Sequence, residues 1–438
     1  MRSGTLRLVW PLCLLGLAGA VQAAGPPSRF GVDAPELAQP GPFTVGVRTM
    51  RLVQPNQPLV PAATATGPVR YEDRVLQVDI WYPCEPRPAG VSPVLYEASL
   101  PSEPTAPPAH FTIPGIAFRD APALPGPYPL VIVSHGYSNA TVALSWLTEN
   151  LASKGYLVAA IRHEDPPITD PDQIESVVLR RPLDIAFVAA QLQGPLAAQL
   201  HLDASRTALV GYSMGGYGVL TAGGAGLDPQ GGATEVPRHL MMPYVRGGAA
   251  EGQVHVHHVR AVVAMAPAGA ASHAWDEQGF RALRAPLLLI AGDHDRTIDY
   301  QTGARAIFDQ AVNAPRYLLT FRNAGHAIGL DPVPDAMRGR LWDLDWFEDP
   351  VWRKDRITAI NAHFITAFLD RYLKGDESRA AYLDVRTPDS DAGQWPASQA
   401  GGYAAFSSGN DGNTVWKGFQ RNHAAGMTLL HAAPAILH

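Results

Sequence analysis

Short apolar runs bounded by glycine, proline or charge recur through the middle of the chain. "PLVIVSHG" (Pro129 to Gly136) is uninterrupted, the pattern of a strand covered on both faces. Helical spacing follows over Val142 to Lys154. Strands are expected again at "YLVAAIRHED" from Tyr156 and "RTALVGYS" from Arg206, with helical spacing from Ser176 between them. Pro182 inside that helical stretch is expected near a helix start or a kink. Met214 to Ala225 reads as helix, and "VRAVVAMAP" from Val259 and "APLLLIAGD" from Ala285 as two more strands. "RYLLTFRNAGH" from Arg316 reads as the last strand, and Asp355 to Lys374 as an amphipathic closing helix. Upstream, "FTVGVRTMRLVQ" from Phe43 and "RVLQVDIWYP" (Arg74 to Pro83) are strand-like, and the proline-rich connection from Pro83 to Pro129 cannot be continuous helix. Alternating buried strands and helices imply a mostly parallel sheet with helices on both faces. The segments Gly226 to His258 and Leu330 to Lys354 break the alternation and are candidate lids.

Composition adds compartment and excludes some partners. The chain has 438 residues, 46% of them hydrophobic, enough for a sizeable core. Net charge is −6 with both signs scattered, which argues for no nucleic acid and for no polybasic membrane face. Arg2 and Arg7, the apolar run Leu8 to Val21 and the small residues of Val21-Gln22-Ala23 read as an export signal over 1–23, cleaved after Ala23. The run is short for a bilayer span. Cleavage would remove Cys13 and leave Cys84 as the single cysteine, so no internal disulfide is expected. A periplasmic or secreted protein fits, with no stable membrane insertion after cleavage.

Chemistry concentrates where strands end. Gly211-Tyr212-Ser213-Met214-Gly215 follows the strand from Arg206 and opens a helix, the strand-turn-helix context in which a G-x-S-x-G motif exposes a nucleophile. The competing reading is a turn whose serine caps the helix. A serine needs a base, and the base an orienting acid. Asp293, His294 and Asp295 follow "LLLIAG", and His326 follows "YLLTFRNAG". Asp295 is the expected acid, with Asp293 the alternative, and His326 the expected base. Oxyanion donors are expected at the backbone N–H groups of Met214 and of Tyr137. Tyr137 belongs to an earlier copy of the same tripeptide, Gly136-Tyr137-Ser138. That copy lacks the second glycine of an elbow, because Ala140 stands there, so Ser138 is expected not to attack.

"VGYSMGGYG", "IAGDHD", "NAGH" and "VSHGYS" together resemble the α/β-hydrolase superfamily. With "VDIWYP" and "GPFTVGVRT" upstream, the chain is similar to the dienelactone hydrolase-like and platelet-activating-factor acetylhydrolase-like branch. The pairs Gly136-Tyr137 and Ser213-Met214 also resemble bacterial polyester hydrolases, whose Tyr and Met flank an aromatic acyl group. The branch resemblance would place an acid after the strand that follows the elbow strand. Here that place reads Ala264-Met265-Ala266-Pro267, which leaves Asp295. Dienelactone hydrolases proper carry Cys where this chain has Ser213.

The expected organisation is a signal at 1–23, an N-terminal extension 24–70, an α/β-hydrolase domain 71–375 with lid candidates 226–258 and 330–354, and a C-terminal extension 376–438. The expected function is a secreted serine hydrolase cleaving carboxylic esters of small or polymeric substrates through an acyl-enzyme. A peptidase, amidase or polyester hydrolase could use the same residues, and a non-catalytic binding protein could use the same scaffold. No phosphate-binding glycine pattern follows the first strand, so no cofactor is expected. His255, His257 and His258 in "VHVHH" lack further converging ligands, so no metal is expected either. Trp342, Trp346, Phe347 and Trp352 could line an acyl pocket or pack the last helix. Arg180, Arg181 and Asp184 are expected in structural ion pairs.

Overall fold

A computed structural model describes residues 29–60, 67–86, 90–103, 106–168, 170, 174–395 and 412–435. The expected signal at 1–23, with Cys13, lies outside the described residues. The strands, in chain order, are β1 (Thr44–Pro58), β2 (Tyr71–Cys84), β3 (Leu95–Leu100), β4 (Ala109–Pro114), β5 (Phe118–Arg119), β6 (Tyr128–Ser134), β7 (Leu157–Arg162), β8 (Leu202–Tyr212), β9 (Val259–Met265), β10 (Leu287–Gly292), β11 (Arg316–Phe321) and β12 (Met427–Ala432). Ten of them form one sheet in the order β12-β11-β10-β9-β8-β6-β7-β2-β1-β5, while β3 and β4 make a separate hairpin. Strands β6 to β11 run parallel. The helices are α1 (Ser145–Ser153), α2 (Ile174–Gln193), α3 (Met214–Ala222), α4 (Glu277–Ala282), α5 (Ala306–Gln310), α6 (Leu341–Asp345), α7 (Lys354–Lys374) and α8 (Ala380–Leu383).

Side-chain alternation along each strand explains the unbroken apolar runs. Val131 and Val133 of β6 join a core under α1 and α7, while Leu130 and Ile132 join a second core under α2, α3 and α5. With both faces covered, the carboxyl halves of the middle strands are buried throughout, so the polar half of the usual strand alternation disappears there.

Chain order along the sheet reverses between β6 and β8: β7 lies to one side of β6, β8 to the other. Ligands of open α/β sheets bind beyond the strand carboxyl ends at such a reversal. The register pairs Ser134 with Gly211, so the two Gly-Tyr-Ser tripeptides emerge side by side there.

The sheet is wider than the sequence suggested. Strand β1 pairs with β2 from Thr44↔Cys84 to Pro58↔Tyr71, so residues 44–58 are sheet rather than a separate extension. The C-terminal extension supplies β12, antiparallel to β11 from Arg316↔Ala432 to Phe321↔Met427, so the strand at Arg316 is not the last. Just beyond β11 the Arg322 N–H reaches the Gly426 carbonyl at 2.9 Å. The six residues of β12 follow a polar, glycine-rich stretch, and their short pattern gave no strand signal before β11 was there to pair with. The chain's N-terminal part is likewise stitched to its C-terminal part. The Glu36 N–H donates to the Gly418 carbonyl at 2.9 Å, and the Gln420 amide to the Val32 carbonyl at 2.6 Å.

Pro182 is neither at a helix start nor at its edge; it lies inside the twenty-residue α2. A proline there has no N–H for the carbonyl four residues back, that of Val178. The Tyr217 hydroxyl of α3 takes that carbonyl at 3.1 Å, so the defect in one helix becomes a bond to the next. Tyr217→Phe is expected to leave the Val178 carbonyl unsatisfied at a cost of about 1–3 kcal/mol, read by urea unfolding. A loss below about 0.5 kcal/mol would mean the carbonyl finds another donor.

The two lid candidates lie in different places. Residues 226–258 are mostly 3-10 turns whose buried Val236, Met241, Val245 and Val254 pack into the core beside α2. Their ends meet the carboxyl end of α3 and the start of β9, away from the end of β8 that carries Ser213. Residues 330–354 pack beneath the β3–β4 hairpin, with Phe347 edge-on to Phe111 at 5.7 Å and the Ser102 hydroxyl donating to Asp343 at 2.5 Å. Among the described residues no helix is long and apolar enough to cross a membrane.

Candidate active site

Ser213 sits between β8 and α3 at φ 55°, ψ −118°. A non-glycine residue at positive φ costs on the order of 1–3 kcal/mol and persists only where its surroundings enforce it. The enforcement is visible. The Ser213 N–H donates to the Met265 carbonyl at 2.9 Å, and the Ser213 carbonyl accepts from Ala268 and Tyr217 at 3.0 and 3.1 Å. The turn is also tight enough to demand glycines. A Cβ on Gly211 would lie 2.1 Å from the Gly215 carbonyl oxygen, and one on Gly215 2.0 Å from that of Ser134. The Ser213 side chain makes no capping bond to the helix, which sets aside the helix-cap reading.

His326 stands in the loop after β11. Its Nε2 is 3.0 Å from Ser213 Oγ and its Nδ1 2.7 Å from Asp295 Oδ2. Asp295 Oδ1 accepts the N–H groups of Thr297 and Ile298 at 2.9 and 3.0 Å, which fixes the carboxylate plane. Burial pushes the Asp295 carboxyl up, but the His326 hydrogen bond and charge and the two N–H groups outweigh it and hold it below its usual range. Asp293, the alternative acid, is engaged elsewhere. Its Oδ1 accepts the Asn323 N–H at 2.6 Å and meets His294 Nδ1 at 2.8 Å, tying the loop after β10 to the loop after β11.

Tyr212, the middle residue of the elbow, supports the imidazole. Its ring lies 5.3 Å from that of His326 at an angle of 31°, and its hydroxyl donates to the His326 carbonyl at 3.1 Å. The next three carbonyls of the histidine loop are also held by side chains. Lys354 Nζ takes that of Ala327, Asn361 Nδ2 that of Ile328 at 2.8 Å, and Trp146 Nε1 that of Gly329 at 2.8 Å. Before the histidine, Asp349 Oδ2 accepts the Gly325 N–H at 2.7 Å.

The first tripeptide forms the opposite wall. A Cβ on Gly136 would lie 3.4 Å from Ser213 Cβ, so the Tyr137 peptide follows directly beside the serine. Met214 is the first residue of α3, where N–H groups have no partner inside the helix. Beneath this loop lies a buried polar network absent from the expected site residues. Arg181, fully buried, donates to the His135 carbonyl at 2.5 Å and pairs with Asp165, whose Oδ2 accepts the Ser138 N–H at 2.9 Å. His163 joins Ser134 Oγ at 2.8 Å and Asp184 at 3.0 Å, and Asp184 is also gripped by Arg74. Burial and the Arg181 charge lower His135 to about 4 and His163 well below its usual value. Both rings are therefore neutral at pH 7 and act as hydrogen-bonding struts. The signal was present in sequence: His135 follows β6, and His163 and Asp165 follow β7, at strand ends that rim the site.

Of the three residues expected in ion pairs, Arg181 pairs with Asp165 and Asp184 with Arg74, whereas Arg180 reaches the Pro58 carbonyl at 2.9 Å. Of the aromatic cluster, Phe347 packs on Phe111 and Trp352 edge-on to Phe321 at 5.0 Å, whereas Trp342 keeps 42% of its surface exposed. His255, His257 and His258 lie between the 226–258 turns and β9, away from Ser213, and no group of three or more metal-ligating side chains converges among the described residues.

A nucleophile hydrogen-bonded to an imidazole, the imidazole to a buried carboxylate, and a helix start beside the nucleophile can together perform acyl transfer. Ser138→Ala is expected to lower turnover less than about tenfold, because that residue contributes a backbone N–H to Asp165 and no group to His326. Loss of turnover in folded Ser138→Ala would reverse this assignment.

Comparison with known proteins agrees with this architecture. A family described as PETase, PET hydrolase-like, matches residues 122–230. Cutinase est2 of Thermobifida alba is 33% identical over 113 residues, which cover 26% of this chain and 36% of that cutinase. Cutinase 2 of Thermobifida cellulosilytica is 32% identical over 113 residues, 41% of its length. The chain thus matches well under half the length of these relatives. A ferulic acid esterase structure from Streptomyces cinnamoneus superposes with a TM-score of 0.52 at 23% identity, covering 78% of this chain and 94% of that one. With its parallel sheet, its helices on both faces and the β8–α3 elbow, the chain has the α/β-hydrolase fold.

Proposed function

We propose that the protein is an exported serine hydrolase of carboxylic esters. The observation that carries this reading is the chain Ser213 Oγ–His326 Nε2 at 3.0 Å and His326 Nδ1–Asp295 Oδ2 at 2.7 Å, set on a strained elbow. Ser213 attacks the ester carbonyl as His326 takes its proton, and the Tyr137 and Met214 N–H groups hold the oxyanion. The alcohol departs with that proton and leaves an acyl-enzyme. His326 then activates water, which releases the acid and restores the serine. Asp295 fixes the imidazole tautomer and stabilises its cation. Likeness to cutinases over 113 residues favours esters over amides. Export rests on the first 23 residues alone.

The test compares p-nitrophenyl acyl esters of increasing chain length, a polyester film and peptide anilides. Ester turnover at least about a hundredfold above anilide turnover in kcat/KM is expected. Preference for anilides would replace the ester reading with an amidase.

A further inference from the structure

Lys354 is the first residue of α7 and is 4% exposed. Its ammonium is bound to the carbonyl of Ala327, the residue after His326. Three carboxylates face it: Glu348 and Asp349 from the segment beneath the β3–β4 hairpin, and Asp331 from the end of the histidine loop. Each has a second tie. Glu348 accepts the Val333 N–H at 3.1 Å, and Asp349 accepts the Gly325 N–H on the other side of His326. Asp331 accepts from Ser145 Oγ at 2.9 Å and pairs with Arg29 at 3.3 Å. Four consecutive carbonyls, 326 to 329, are held by Tyr212, Lys354, Asn361 and Trp146, and Lys354 is the only cation among those four. A charge-assisted bond is about twice as strong as a neutral one, so this clamp weakens when the amine loses its proton.

We propose that Lys354 is a positioning residue whose buried ammonium, clamped on the Ala327 carbonyl and balanced by Asp331, Glu348 and Asp349, sets the stance of His326 between Ser213 and Asp295. The proposal rests on the reading of Ser213 and His326 as nucleophile and base. Burial lowers the Lys354 amine to about 7, the nearby carboxylates opposing, so its protonation changes within the working range of such an enzyme. Turnover is then lost on the alkaline side as the clamp weakens.

Two readouts test it. The first is kcat and KM for a p-nitrophenyl ester from about pH 5 to about pH 10. Wild type should show a descending limb in kcat near neutrality. Lys354→Arg, which keeps its charge, should lose that limb, and Lys354→Met should lower kcat by about tenfold to a hundredfold with little change in KM. The second is the low-field proton resonance of the His326 Nδ1–H bound to Asp295, which needs no turnover. In wild type its position should follow the protonation of Lys354, read in parallel from the Lys354 Nζ signal, and that dependence should vanish in Lys354→Arg. A wild-type resonance that does not follow the Lys354 titration overturns the proposal, whether or not the variants fold. Folded Lys354→Met with wild-type kcat and an unmoved resonance overturns it equally. If wild type hydrolyses no ester, the ester reading fails, and the resonance still decides the role of Lys354.

Discussion

Ser213→Ala is expected to lower ester kcat by about four to six powers of ten while leaving KM within about threefold. The substitution removes one oxygen. The His326–Asp295 pair keeps its 2.7 Å bond, and the Met214 N–H keeps its place at the start of α3, so substrate binding persists while covalent attack does not. The elbow should survive, because its bonds to Met265, Ala268 and Tyr217 use the backbone of residue 213. Unfolding midpoints should therefore match wild type. A fluorophosphonate probe should label wild type at Ser213 and leave the variant unlabelled. Retention of more than about a tenth of wild-type kcat by the folded variant would remove Ser213 from the mechanism.

Asp295→Asn is expected to cost about 10⁴-fold in kcat, and Asp293→Asn less than about tenfold. The contrast follows from what each carboxylate faces. Asp295 accepts the imidazole Nδ1–H on one oxygen and two backbone N–H groups on the other, so an amide there must turn a donor toward some of these donors. The easiest relief is an imidazole in the wrong tautomer, with its proton facing Ser213. Asp293 faces Asn323 and His294 and has no bond to His326. The depressed carboxyl of Asp295 also sets a sign. Its contribution to stability is fully present above the unfolded value of about 4 and is lost as pH falls through the lower folded value. Asp295→Asn should therefore lower stability at neutral pH and flatten the acid end of the stability curve, so that the variant and wild type converge as pH falls. Equal loss of kcat in both variants would return Asp293 to consideration.

The strands of the middle sheet were legible because burial on both faces leaves each of them an unbroken run of apolar and small residues. The elbow was legible because a turn that leaves no room for a Cβ at Gly211 or Gly215 must be written in glycine. The choice of Asp295 over Asp293 was not. Both follow the same strand within three residues, and only the folding of the loop aims one of them at His326. How α2 accommodates Pro182 was hidden for a similar reason. The unpaired acceptor at Val178 is repaired by Tyr217, a residue 39 positions away in sequence that no local pattern connects to it. The polar network around Arg181, and the carbonyl clamp behind His326, are likewise tertiary. The network's histidines and acids could be placed at strand ends from the sequence, but which of them meet, and every partner in the clamp, depends on groups from different elements. β12 was illegible because its partner, not its own pattern, makes it a strand.

Strand β12 also gives the fold a timetable. It is synthesised after every other strand of the sheet, yet it borders β11, and the peptide just before it holds Arg322, four residues short of His326. A ribosome-bound or translocating chain that lacks residues 426–432 has β11 as a bare edge and its histidine loop anchored from one side only. Such an edge invites pairing with other chains until the last strand closes it. Assembly of the site around Ser213 and His326 thus waits for β12, and premature termination anywhere before Gly426 should yield aggregation-prone protein rather than a smaller folded one.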